Sequence, residues 1–97
     1  MQRERNILIT IIAKKEFIDE IQDAIGTVVV ATSKEFGNIS CQWRKDTANL
    51  AKFIILEKWD SCLASDMHSE SAHFLHFKQM IKEKIIILTT DLVWEVY

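Results

Sequence analysis

The segment Asn6-Ile-Leu-Ile-Thr-Ile-Ile-Ala13 is rich in β-branched residues and apolar at both parities, the pattern of a strand covered on both faces. Helices of the same chain can cover one face; the other needs a different cover. In 97 residues that requirement is severe, because a domain of this size buries only about 60–65% of the surface its unfolded chain exposes. Yet 48% of the residues are hydrophobic, with five Phe, three Trp and one Tyr. Apolar surface is left over for a partner, most simply a second copy of the chain.

The periodicity then changes. From Glu16 onward, Phe17, Ile21, Ala24, Ile25, Val28 and Thr32 recur at helical spacing, while Lys15, Glu16, Asp19, Glu20, Gln22 and Asp23 lie mainly elsewhere. This predicts an amphipathic helix, weakened in its second half by Gly26 and Val28-Val29-Val30. Phe36-Gly37-Asn38 supplies a stop and a turn, since Gly and Asn tolerate positive φ. Ile39 to Arg44 alternates as a second strand, Lys45 to Asn49 reads as a hairpin loop, and Ala51 to Trp59 as a third strand. That strand places Phe53, Ile55, Glu57 and Trp59 on one face. Asp60 or Ser61 can cap a short helix over residues 61–67, and Ser69 or Ser71 can start another to about Lys82. Ile85 to Leu88 reads as a fourth strand, Thr89-Thr90-Asp91 as a bulge or bend, and Leu92 to Tyr97 as an alternating tail that reaches across a subunit interface. The order β-α-β-β-α-β predicts an α+β, ferredoxin-like fold, with a four-stranded antiparallel sheet and its helices on one face. A second subunit's sheet on the bare face gives a dimeric α+β barrel.

Several functions are disfavoured by composition. The apolar run Ile7 to Ala13 falls far short of the roughly 20 residues that span a bilayer, and no cleavage site follows it, so a cytoplasmic chain without membrane insertion is expected. A formal charge of −2, with basic residues scattered, offers no stripe for nucleic acid. Cys41 and Cys62 are too few and too isolated for a disulfide framework or a Cys-rich zinc site.

Glu57, Trp59, Ser61, His68 and His73 fall within seventeen positions, where the third strand runs into helix. Helical phase puts His73 on an inward stripe with Phe77 and Met80, and His76 toward solvent with Ala72, Gln79 and Glu83. A carboxylate, an indole and two imidazoles at one junction suit a small-molecule pocket, and they equally suit packing. An ionised Glu57 on an apolar face must be satisfied: it pairs with Arg44 or a lysine, or it serves in proton transfer. His73 is a buried imidazole bonded to backbone or carboxylate, or else a general base or substrate ligand. His68 sits in a polar stretch where exposure or helix capping is the plain reading. Trp43, Trp94 and Tyr97 are read as cross-strand packing. No metal is expected: His68 and His73, five apart, would be separated by about 140° on one helix, His73 and His76 face different environments, and no third ligand is apparent.

Glu57-x-Trp59-x-Ser61, then His68, then four residues and His73, resembles the signature of the antibiotic biosynthesis monooxygenase domain family. The similarity spans nearly the whole chain and includes Glu35-x-Gly37-Asn38 before the second strand and the His73-Phe74 step. It implies one domain over residues 1–97 and a homodimeric α+β barrel with a pocket between sheet and helices. The family includes cofactor-independent quinol and anthrone monooxygenases, haem-degrading enzymes and an isomerase of a bacterial signalling molecule. By position, Trp59 would form a pocket wall, His68 and His73 would lie at its mouth or floor, and Glu57 would point into the same space. Ala13-Lys14-Lys15 departs from the Pro-Gly often found there, which changes a turn more than a site. The first-strand Asn of the haem-degrading branch falls at Leu8 rather than Asn6.

The expected function is therefore a cofactor-independent monooxygenase that oxygenates a small quinol or phenol with dioxygen. His73 or His68 would be the base, Glu57 an orienter or proton acceptor, Trp59 and Phe77 the walls for a planar substrate, and Ser61 a hydrogen-bond donor. The alternatives are a non-catalytic dimeric protein that holds a small hydrophobic ligand in the same fold, and a haem-degrading monooxygenase.

Overall fold

The computed structural model describes residues 4–93. The elements are β1 (Arg5–Ala13), a 3-10 turn (Lys15–Phe17), α1 (Ile18–Ser33), β2 (Asn38–Lys45), β3 (Lys52–Trp59), α2 (Cys62–Ser69), α3 (Ala72–Ile81) and β4 (Ile85–Val93). The strands form one sheet in the order β2-β3-β1-β4, every neighbouring pair antiparallel. This is the ferredoxin-like α+β fold the element order predicts.

Parity sorts the sheet into two faces. Ile9, Ile11 and Ala13 of β1 and Phe53 and Ile55 of β3 point to the helices, where they pack with Ile21, Ala24, Ile25, Val28 and Val29 of α1 and Phe77 and Ile81 of α3. Burial of Ile25, Val28 and Val29 carries α1 through Gly26 and the valine run to Ser33, since tertiary packing outweighs intrinsic propensity. On the other face the register aligns Leu8 with Leu56, Thr10 with Ile54, and Ile12 with Ile87. No helix of the described residues covers this face, and Ile87 is 44% exposed. No helix of the described residues is long and apolar enough to cross a membrane.

Three expectations are corrected. β4 does not end at Leu88: Thr89 and Thr90, β-branched and paired with Thr10 and Ile9, continue the ladder, and the irregularity lies instead at the step between Ile12 and Ala13, opposite Ile86. Of the alternating tail, Leu92 and Val93 belong to β4, while residues 94–97, with Trp94 and Tyr97, lie outside the described residues. Met80 is not on the buried stripe; α3 is rotated so that Phe77 and Ile81 are buried and Met80 is exposed beside α1.

Candidate functional site

Three chain segments meet at one end of the helical layer. The end of β3 delivers Glu57 and Trp59 on the same side, as alternation requires. There Ser61 caps α2, its Oγ accepting from the Ala64 backbone N–H at 3.1 Å. Arg5 ties α2 back to β1 through Ser65 Oγ (3.1 Å) and Asp66 Oδ1 (3.2 Å). α2 ends at Ser69, and Ser71 caps α3 at the Phe74 N–H (3.4 Å). His68 and His73 therefore stand on two different helices. The angular separation expected on a single helix does not apply, and their ring centroids are 5.9 Å apart.

The third segment is the turn after α1. Gly37 takes φ 81°, accepts from the Asp60 N–H at 2.8 Å, and lies so close to the start of α2 that a Cβ on it would meet Ala64 Cβ at 2.4 Å. That contact holds Glu35, two residues earlier, against the two histidines.

The resulting cluster is connected end to end. Trp59 Nε1–H donates to Glu57 Oε1 (3.0 Å), and Glu57 Oε2 stands 3.6 Å from His68 Nε2. His68 Nδ1 is 2.8 Å from Glu35 Oε1, and His73 Nε2 lies against the same oxygen. The His68 ring sits between the rings of Trp59 (4.9 Å) and Phe74 (4.6 Å) and is only 3% exposed. Burial pushes the pKa of His68 down, but the facing carboxylates of Glu57 and Glu35 outweigh burial and hold it above the usual imidazole value. Cys41, opposite Glu57 on β2, has its thiol pushed up to about 12 by burial and then by the charges of Glu57 and Glu35, so it stays protonated.

His73 is the member of this cluster that reaches the space between α1 and α3. A cavity of about 380 Å³ lies between α1 and α3, within the range of roughly 300–1,000 Å³ common to small-molecule sites. Ala24, Thr27, Val28 and Ala31 line it from α1, with Glu20 and Asp23, and His73, His76, Phe77 and Met80 line it from α3. The side chain of His73 is 33% exposed there.

The structure thus brings together most of the residues singled out from the sequence, with altered places. His73 and Phe77 line the cavity. Trp59 does not; fully buried, it stands behind His68. Glu57 is held by Trp59 and faces His68 rather than Arg44, which bonds Gln42 and the Trp43 carbonyl. His68, expected at the surface or at a helix cap, is the buried centre of the cluster. The Ser61 oxygen is engaged as a helix cap rather than directed at a ligand. His76 is exposed but lines the cavity rather than facing only bulk solvent. Glu35 was missed. Its signal was a carboxylate two residues before a Gly-Asn turn, which reads as turn chemistry until the turn is seen against α2.

The sequence pattern of a family described as antibiotic biosynthesis monooxygenase matches residues 6–80. No curated protein matches the chain. Among solved structures, PA3566 from Pseudomonas aeruginosa is similar with a TM-score of 0.92 at 18% identity, over 100% of this chain and 98% of that one. Rv0793 from Mycobacterium tuberculosis gives 0.89 at 14% identity, over 97% and 96%. A crystal structure named antibiotic biosynthesis monooxygenase gives 0.88 at 21% identity, over 96% and 99%. At such identities these structures speak to the fold.

Proposed function

Because the chain belongs to the antibiotic biosynthesis monooxygenase family, we propose that it oxygenates a small quinol or phenol with dioxygen, without a bound cofactor, in the cavity between α1 and α3. One observation carries this reading: His73 faces the cavity with one side of its ring and Glu35 with its Nε2, and Glu35 in turn meets His68. His73 takes the phenolic proton, and the Glu35 carboxylate stabilises the imidazolium that forms. Apolar walls from Val28, Ala31 and Phe77 keep water from the phenolate. The electron-rich anion then reduces dioxygen itself: one oxygen atom bonds a ring carbon in place of its hydrogen, and the other leaves as water with the two hydrogens the substrate loses. The ring, which supplies all four electrons, ends at the quinone level. His68, sealed from the cavity, serves as a positioning residue, as do Glu57 and Trp59 behind it.

The sheet face away from the helices supports the homodimeric barrel as part of the same proposal, since Leu8, Ile12, Ile54, Leu56 and Ile87 have no cover among the described residues. Haem degradation gains no support. Asn6 pairs with Lys58 in an unbroken register, on the parity opposite to Glu57.

Oxygen uptake with a naphthoquinol or an anthrone as model substrate tests the proposal. His73→Ala should lower turnover about 100-fold or more, as expected for loss of a general base, and Glu35→Gln should lower it less. Unchanged turnover in His73→Ala would remove His73 from the chemistry. Stabilisation of the protein by these aromatics with no oxygen consumed would assign the cavity to ligand binding instead.

A further inference from the structure

We propose that Glu35, His68 and His73 form a binding site for one divalent first-row transition-metal ion, contrary to the absence of metal expected from spacing alone. One donor atom from each residue lies within 4.8 Å of the others. His68 Nδ1 is 2.8 Å from Glu35 Oε1, and His73 Nε2 touches that same oxygen. Around a tetrahedral ion with bonds of about 2.0–2.2 Å, neighbouring donors stand roughly 3.3–3.6 Å apart, so Glu35 must draw back slightly from both imidazoles to admit one. Two imidazoles and a carboxylate, with no thiolate, suit zinc, cobalt, nickel or ferrous iron better than calcium or magnesium, which prefer oxygen donors.

The second observation is independent of this proximity. The Nε2 atom of His68, a residue 97% buried, has no hydrogen-bond partner among the described residues, and the buried Nε2 of His73 lies against the Glu35 carboxylate without forming an aligned hydrogen bond. A buried ring nitrogen left in this way is costly. A metal ion accounts for both nitrogens, one directly and one through the tautomer it fixes. On His73 it would take the Nε2 lone pair directly. On His68 it would take Nδ1, which fixes the proton on Nε2 and turns it toward Glu57 Oε2 at 3.6 Å. Glu57 is itself oriented by the Trp59 indole N–H. This is the carboxylate–histidine–metal order in which an outer carboxylate sets the tautomer and orientation of a ligating imidazole. The cavity beside His73 leaves one side of the ion open to water or a small ligand.

Binding of the ion does not depend on the oxygenase proposal. The two are exclusive at any one moment, because the ion would take the His73 Nε2 through which, in the oxygenase proposal, the Glu35 carboxylate stabilises the imidazolium.

The test uses untagged, chelator-stripped full-length protein titrated with Zn²⁺ by calorimetry and with Co²⁺ by visible absorption. One ion per chain is expected, with cobalt ligand-field bands typical of four or five coordination. Glu35→Gln and His73→Gln should each weaken Zn²⁺ by about 100-fold or more, Glu57→Gln by about 10-fold to 100-fold through the outer shell, and His76→Gln not at all. Since the cluster is buried, wild-type protein supplies a check free of folding effects. On Zn²⁺ addition the ring signals of His68 and His73 should shift in histidine-selective NMR, with those of His76 unmoved. Absence of saturable one-to-one binding, or binding that shifts His76 and leaves His68 and His73 in place, overturns the site.

Discussion

Gly26 and Gly37 are the two glycines of the chain, and replacing each by alanine should move stability in opposite directions. At Gly37 the φ of 81° is strained for any residue with a Cβ, which costs about 1–2 kcal/mol. The added methyl would also meet Ala64 Cβ at 2.4 Å and Asp60 Oδ1 at 2.7 Å. Ala64 is buried at the start of α2, so relief requires the turn and the helix to part, and overpacking of this kind costs about 1–3 kcal/mol. Loss of unfolded-state freedom returns about 0.4–1 kcal/mol. Gly37→Ala should therefore lose about 2–4 kcal/mol, a fall in Tm on the order of 10–20 °C for a domain of this length. Gly26 lies in the interior of α1 with nothing within 4 Å of a built Cβ, so Gly26→Ala should gain about 0.5–1 kcal/mol. Urea unfolding followed by far-UV circular dichroism measures both. The damage at Gly37 should also reach the site, because parting the turn from α2 withdraws Glu35; a histidine ring signal for His68 that stays at its wild-type position would contradict that link. A loss below about 1 kcal/mol at Gly37, or a loss of similar size at Gly26, would refute the claimed contact between the turn and α2.

Trp59→Phe keeps an aromatic ring beside His68 but removes the N–H that satisfies Glu57, so it should cost about 1.5–3 kcal/mol by urea unfolding, and a neutral result would mean that the indole contributes packing alone. Alkylation under limiting iodoacetamide at pH 8 should label the exposed Cys62 and spare Cys41, whose thiol is pushed up to about 12; preferential labelling of Cys41 on peptide mass analysis would contradict the packing of β2. Leu56→Lys places a charge in the middle of the uncovered sheet face and should convert a dimer to a folded monomer by light scattering, whereas an unchanged mass would place the dimer contact, if any, elsewhere.

Much of this protein is legible without coordinates. Double-sided apolar strands and helical periodicity identify each element, because period and parity are local properties that burial then amplifies. For the same reason Glu57 and Trp59 are correctly placed on one side, and Phe77 inward. Cap chemistry is nearly as local: Ser61 and Ser71 are both found at the helix starts where their positions suggest. Local pattern fails at β4, where two β-branched threonines continue a strand that their polarity seemed to end.

The site depends on something that period and parity do not encode. Glu35 and His68 are separated by 33 positions and meet only because Gly37 allows the turn after α1 to settle on Asp60 and Ala64. His68 lies in a polar stretch that reads as surface, yet the end of α2, anchored by Arg5, drives it between Trp59 and Phe74. By itself the sequence determines which segments are strands and helices and, apart from cases such as Met80 and His68, which side chains they turn inward. Which of those side chains touch is decided by tertiary structure, because contacts between distant segments follow from how helices dock on a twisted sheet and leave no period in the chain.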